Sequence, residues 1–211
     1  MKPRPARLVF VAGTGTAVGK TWTAAAMLTR LRNAGLRVAA RKPAQSFDVG
    51  DGPTDADVLA RATGEPPHTV CPPHRWYDRA LAPPMAADAI GAPPFTVGDL
   101  VRELCWSEGV DVGLVEGAGG PRSPIAVDGD NVTLASAIAP DLVLLVARAD
   151  LGAVNAVRMS VDAFAGVPVV VVLNGYEEDD VVHRGNRDWL RDRDGYDVVT
   201  GPETAAARIV P

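Results

Sequence analysis

Several materials of specialised proteins are scarce in this chain. It has two cysteines, Cys71 and Cys105, with no CxxC spacing and no histidine beside Cys105. That argues against a disulfide framework and against a zinc site, leaving two reduced thiols expected in or near the core. Long hydrophobic runs are also missing. The longest, Leu142 to Ala147 and Val169 to Leu173, fall far short of the ~20 residues that cross a bilayer. Positive charge is not in excess either. Lys plus Arg number 21 against 26 for Asp plus Glu, a net charge of −5, so no basic field exists to hold a nucleic acid. The basic start Met1 to Arg7 leads into an apolar run that stops at Gly13 without a small-residue cleavage site. The expectation is a cytoplasmic protein with neither a membrane nor a nucleic-acid partner. What remains is globular in kind, 211 residues with 47% hydrophobic and 22% charged, which suits one domain over 1–211.

Strand-like and helix-like segments alternate. Leu8 to Val11 reads as a buried strand, and Gly19 to Leu31 as an Ala-rich helix stopped by Asn33-Ala34-Gly35. Leu36 to Ala40 is a second strand, Asp55 to Ala62 a short helix closed by Gly64, and Val97 to Trp106 a helix behind a Thr96 cap. Val110 to Val115, Leu142 to Val146 and Val169 to Leu173 are continuous apolar strands, with a helix from Gly152 to Phe164 between the last two. Strands apolar on every residue are buried on both faces, which predicts an α/β fold with a mainly parallel central sheet flanked by helices. Eight prolines fall between Pro66 and Pro94 in four Pro-Pro pairs, and the expectation there is a stiff surface loop without regular elements. The acidic run Glu177 to Asp180 reads as a solvated loop.

The first strand runs into Gly13-Thr14-Gly15-Thr16-Ala17-Val18-Gly19-Lys20-Thr21 and then a helix. Glycines let backbone N–H groups turn inward around an anion, and the helix start adds partial positive charge. Lys20 would meet the β- and γ-phosphates of a nucleoside triphosphate, and the Thr21 hydroxyl would ligate Mg²⁺. The spacing is one residue longer than the standard Walker A pattern. A competing reading is a dinucleotide fingerprint at Gly13, Gly15 and Gly19, with Arg41 taking a 2′-phosphate; a purely structural glycine turn is a third. Gly-Lys-Thr at the helix start, no acidic residue ending the second strand, and a second glycine loop favour the triphosphate. That second loop follows Val110 to Val115 as Glu116-Gly117-Ala118-Gly119-Gly120, where a carboxylate at a strand's carboxyl end faces the ligand crevice. Glu116 is thus a candidate metal ligand. Lys42, after the second strand, stands at the same edge and can oppose charge on a transferred phosphoryl group. Asp55 reads equally as a helix-start residue and as a metal ligand.

These residues resemble the dethiobiotin synthetases. The resemblance rests on Gly13 to Thr21, Lys-Pro-x-x-Ser at Lys42 to Ser46, Thr-Asp-Ala at Thr54 to Ala56, Val115 to Gly120, Leu-Gly-x-x-Asn at Leu151 to Asn155, and Leu-Asn-Gly at Leu173 to Gly175. It implies a single P-loop domain, ATP and Mg²⁺, and ureido-ring closure on 7,8-diaminopelargonate, a small-molecule diamine, with CO₂. It also implies a homodimer. By the same resemblance Lys20, Lys42 and Ser46 act on the reacting groups, and Thr21, Asp55 and Glu116 hold the metal. Gly119 and Asn174 join Gly13, Thr14, Gly15, Thr16, Ala17, Val18 and Gly19 around the nucleotide, with Asn174 at the base. Gly152, Ala153, Val154 and Asn155 present a helix start to the substrate carboxylate of the neighbouring subunit, beside Lys42 and Ser46 at the reacting end.

Three places depart from that family's pattern. Pro83-Pro84-Met85 stands where Ser-Pro-His is usual, Ala156 follows Asn155 in place of histidine, and Gly201-Pro202-Glu203 replaces an Ile-Pro segment at the base pocket. Arg122 is an unusual charge beside the phosphate loops. His68, His74 and His183 match no motif, and the first two are expected at the surface. The alternatives are the same chemistry on another diamine, a partitioning or assembly switch ATPase, whose extra loop lysine is Gly15 here, and a non-catalytic nucleotide-binding module.

Overall fold

The computed structural model describes residues 3–50 and 52–210. Its elements run β1 (Arg7–Gly13), α1 (Lys20–Asn33), β2 (Val38–Arg41), β3 (Gln45–Ser46), α2 (Asp55–Thr63), α3 (Pro67–Val70), β4 (Trp76–Tyr77), α4 (Pro83–Ala89) and α5 (Val97–Glu103). They continue with β5 (Val112–Glu116), β6 (Pro124–Ala126), β7 (Gly129–Asp130), α6 (Asn131–Ile138), β8 (Leu142–Arg148), α7 (Ala153–Ala163), β9 (Val169–Asn174), α8 (Val181–Asp188), β10 (Asp197–Val199) and α9 (Pro202–Ile209). Six strands make one sheet in the order β10-β9-β8-β1-β5-β2, and every pairing in it is parallel.

Alternation along each strand explains why the sheet needs cover on both faces. In β1, Val9 and Val11 pack with Met27, Leu28 and Leu59 from α1 and α2. Leu8, Phe10 and Ala12 point the other way, into a second cluster with Tyr77, Phe95, Leu100 and Leu134. All five β1 residues are essentially inaccessible, as a strand of period two must be when helices lie on both sides. Because the strands are parallel, their carboxyl ends share one edge. That edge gathers the loop after β1, Lys42 after β2, Glu116 at the end of β5, the turn after β8 and Asn174 at the end of β9. It is also where the chain changes direction across the sheet, with β5 and β8 on opposite sides of β1, the usual ligand crevice of an open α/β sheet.

The Pro-rich stretch is not the irregular surface loop expected from its composition. Pro67 and Pro83 open α3 and α4, with Pro at the first helical positions, where the missing N–H is one no helix would use. Gln45 and Ser46 pair in parallel with Trp76 and Tyr77. Val70, Cys71, Tyr77, Ala86 and Ala87 are buried, the first two in the cluster with Val9 and Val11 and the others in the cluster with Leu8 and Phe10, so this segment packs against both parts of the core. Of the two thiols Cys71 is buried, as expected, but Cys105 is exposed. The helix expected to Trp106 ends at Glu103, and β2 starts at Val38, not Leu36. His68 and His74 are exposed, as expected. No helix among the described residues is long and apolar enough to cross a membrane.

Candidate active site

The loop between β1 and α1 is shaped by close approach. A Cβ on Gly13 would stand 2.8 Å from Val18 Cγ2 and 2.9 Å from Lys20 Cδ. Gly19 has φ +94°, and a Cβ there would meet Asn174 Nδ2 at 2.0 Å. Asn174 Nδ2 donates to the Val18 carbonyl at 3.0 Å, so the end of β9 clamps the loop at the point where it needs glycine. No side chain caps α1, which leaves its first N–H groups for an anion. Gly19→Ala is therefore expected to displace the Asn174 amide and strain a left-handed residue, costing about 1–3 kcal/mol of stability and weakening ATP binding at least ~10-fold. Thermal melts and calorimetry check this; an unchanged melt with unchanged affinity would contradict it.

Behind the loop lies a charged cluster. Lys42 Nζ, 3% exposed at its side chain, sits 2.7 Å from Asp55 Oδ2 and 2.7 Å from Glu116 Oε1 and donates to the Gly117 carbonyl at 3.0 Å. All three of its donors are thus used. The Thr21 hydroxyl lies 2.8 Å from Asp55 Oδ1 and 2.9 Å from Glu116 Oε1 and shares its one proton between them. Glu116 Oε2 is buried with no hydrogen-bond partner. Burial pushes the Glu116 carboxyl above its ordinary range against the pull of Lys42. Lys42 itself is held above its usual value, because Asp55 and Glu116 outweigh the cost of burying it. The Lys42 charge draws Asp55 down. Lys20, whose Nζ donates to the Gly15 carbonyl at 3.0 Å, is lowered by burial and then by the like charge of Lys42.

These groups border a cavity of about 570 Å³ lined by Thr16, Ala17, Gly19, Lys20, Thr21, Lys42, Ser46, Asp55 and Gly119, among others. Nine of the sequence-derived residues thus border one cavity, with Glu116 buried against Lys42 and Thr21, while Gly13, Thr14, Gly15, Val18 and Asn174 do not line it. Ser46 Oγ donates to the Leu81 carbonyl at 2.6 Å. Asp55 is the first residue of α2 behind the Thr54 cap and also a member of the charged cluster. Gly152 to Asn155 stand apart in this chain. Asn155 borders a second hollow of about 850 Å³ with Thr14, Gly120, Arg122, Ala156 and Met159. There α7 starts at Gly152, φ +95°, with no side-chain cap, the same kind of start as α1. Arg122 pairs with Asp130 at 3.0 Å and is largely exposed. Arg41 is buried between Glu65, at 2.7 Å, and the Trp106 ring, so it is spent on structure and offers no 2′-phosphate site.

Three organising residues carried no signal in the sequence. Asn131, 2% exposed, accepts from Ala118 N and donates to the carbonyls of Ala118 and Gly120, which folds the second glycine loop. Asn186 Nδ2 donates to the carbonyls of Ala149 and Asp150, fixing the turn before α7, and the buried His183 stands beside the same Asp150. Gln45 was an unassigned letter inside Lys-Pro-x-x-Ser; its Oε1 accepts from Ala56 N at 2.9 Å, in the first turn of α2.

A family profile described as an AAA domain matches residues 7–201. An ATP-dependent dethiobiotin synthetase BioD from Anaeromyxobacter dehalogenans is 40% identical over 82% of this chain and 79% of its own length. The chain belongs to the dethiobiotin synthetase family. The BioD of Rhodococcus jostii is 34% identical over 96% of this chain and 88% of its own length, so membership in the dethiobiotin synthetases extends well beyond the motif-bearing loops. Among solved structures, the signal recognition particle receptor FtsY from Elizabethkingia anophelis superposes with a TM-score of 0.54 at 18% identity, over 93% of this chain and 58% of its own. Chloroplast FtsY from Physcomitrella patens gives 0.55 at 18% identity, over 100% and 67%. Those likenesses show the shared α/β fold.

Proposed function

We propose that this protein uses ATP and Mg²⁺ to close a ureido ring on 7,8-diaminopelargonate with CO₂, giving dethiobiotin, ADP and phosphate in biotin biosynthesis. The observation that carries the reading is the meeting of Lys20, Lys42, Thr21, Asp55 and Glu116 at one cavity beneath the phosphate loop, in a chain whose relatives bear that activity in their names. The whole chain is read as one domain acting in the cytoplasm, with neither nucleic acid nor membrane as partner.

The donor set fits Mg²⁺. A hard cation takes oxygen ligands, and here a threonine hydroxyl, a helix-start carboxylate and the orphaned Glu116 Oε2 stand together. Thr21, Asp55 and Glu116 would hold it, and once bound it supplies charge neutralisation for the β- and γ-phosphates. The remaining chemistry is positioning. A substrate amine adds to CO₂ and loses a proton to give a carbamate, whose oxygen attacks the γ-phosphorus and expels ADP. The second amine then attacks the carbamate carbon, releasing phosphate and closing the ring. No protein nucleophile is needed. Lys20 opposes charge on the transferring group, Lys42 and Ser46 hold the carbamate against the γ-phosphate, and the loop N–H groups orient the nucleotide. Asn174 serves the base edge with what its clamp on Val18 leaves over. The uncapped start of α7, Gly152 to Asn155, takes the substrate carboxylate of the neighbouring subunit in a homodimer.

The test is ADP release with 7,8-diaminopelargonate, bicarbonate and Mg²⁺·ATP, beside controls lacking the diamine or bicarbonate. Release that needs both, with dethiobiotin formed, is expected. Bicarbonate-dependent release with only another vicinal diamine would keep the chemistry and change the substrate, an outcome the departures at Met85 and Ala156 point to. Hydrolysis indifferent to both additions would overturn the reading in favour of a switch ATPase.

A further inference from the structure

Four buried side-chain polar atoms among the described residues have no hydrogen-bond partner: Arg7 Nε, Thr23 Oγ1, Gln45 Nε2 and Glu116 Oε2. Two of the four belong to the active-site region, and the reaction as described uses only Glu116. Gln45 is 2% exposed and lines the same cavity as Lys42, Ser46 and Asp55. Its Oε1 is committed to Ala56 N, which fixes which end of the amide is nitrogen. Two N–H donors are then left sealed from water and unmatched, an arrangement that costs free energy in the ligand-free protein. Everything bound at this wall in the proposed reaction is rich in oxygen: a carbamate and a γ-phosphate. Both are oxyanions, whose oxygens accept hydrogen bonds.

We propose that Gln45 is a substrate-binding residue whose amide N–H groups donate to an oxyanion of the reacting groups, while its carbonyl end holds the start of α2. This rests on the ring-closure reading above for the identity of the oxyanion. The amide is neutral, so it adds selectivity for oxygen acceptors without adding a third cation beside Lys20 and Lys42.

Two substitutions separate the donor from the acceptor. Gln45→Glu keeps an oxygen for Ala56 N and removes the donors; Gln45→Met removes both. If Gln45 binds an oxyanion, both variants lose about 10- to 100-fold in kcat/KM; Gln45→Glu melts near the unaltered protein, while Gln45→Met also loses the bond from Ala56 N and melts lower. A carbamate as acceptor shows as raised KM for the diamine and bicarbonate with unchanged affinity for a non-hydrolysable ATP analogue. A γ-phosphate shows as weaker binding of that analogue by calorimetry. Full kcat/KM in Gln45→Glu, with loss only in Gln45→Met, would overturn the proposal and leave Gln45 a support for α2. If the unaltered protein releases no ADP in response to bicarbonate, the ring-closure reading falls by itself. Analogue binding then decides for Gln45, and unchanged affinity in Gln45→Glu would overturn the proposal there too.

Discussion

Lys20→Ala is expected to lower kcat at least ~10³-fold while leaving the melting temperature almost unchanged. The two halves of that expectation come from the same geometry. Lys20 is buried against the loop, its one hydrogen bond goes to the Gly15 carbonyl, and burial and Lys42 both disfavour its charge. In the ligand-free protein its ammonium is therefore a burden, and removing it relieves repulsion as much as it breaks a contact. With a triphosphate bound the balance reverses. On the proposed reading the charge would then face the γ-phosphate, where it counts most as the phosphoryl group transfers, with no other cation in the first turns of α1 to replace it. Single-turnover kinetics and thermal melts on the same preparation check both halves. A variant that melts far below the unaltered protein would make Lys20 structural, and one that turns over normally would remove it from the chemistry.

Why these residues were legible while others were not follows from how each acts. The chain contains only three lysines, Lys2, Lys20 and Lys42; among the described residues its surface ion pairs are made mostly by arginine, as at Arg37, Arg158 and Arg208. Apart from Lys2, lysine is thus kept for the place where a compact point charge is wanted, and it sits in local motifs that a reader of the sequence meets whole. The strands were legible because both faces are buried, which removes every polar letter from Leu142 to Val146. The proline pairs misled because a residue that ends a helix from within also begins one at its first position, and sequence alone does not mark which side of the proline the helix is on. Asn131, Asn186 and Gln45 work through backbone groups up to 37 residues away, so their meaning exists only once the loops they tie are folded. The clearest case is Asn174, legible as a motif residue for the base but not as the clamp on Val18, a contact spanning 156 residues.

Lys42→Met should have the opposite signature to Lys20→Ala, a large loss of stability that Mg²⁺ partly repairs. Among the described residues Lys42 is the one cation in contact with both Asp55 and Glu116. Glu116 is fully buried, and without the ammonium its charge faces Asp55 with only the Thr21 hydroxyl to share. Removing one partner of a buried ion pair costs about 3–5 kcal/mol, which for a chain of this size lowers the melting temperature by roughly 10 °C. The same substitution leaves two carboxylates and a hydroxyl around one point, so on the proposed reading the site would become a better hard-cation site than in the unaltered protein, where Mg²⁺ would contend with Lys42 for Glu116. Saturating Mg²⁺ at about 100 times its Kd would return about 2.7 kcal/mol, most of the loss but not all. Turnover would not return with it, because the carbamate and γ-phosphate have lost their second cation. Melts in MgCl₂ against NaCl of equal ionic strength are the measurement. A loss under ~1 kcal/mol, or a recovery that NaCl gives equally well, would show that the cluster is held by something other than the Lys42 charge.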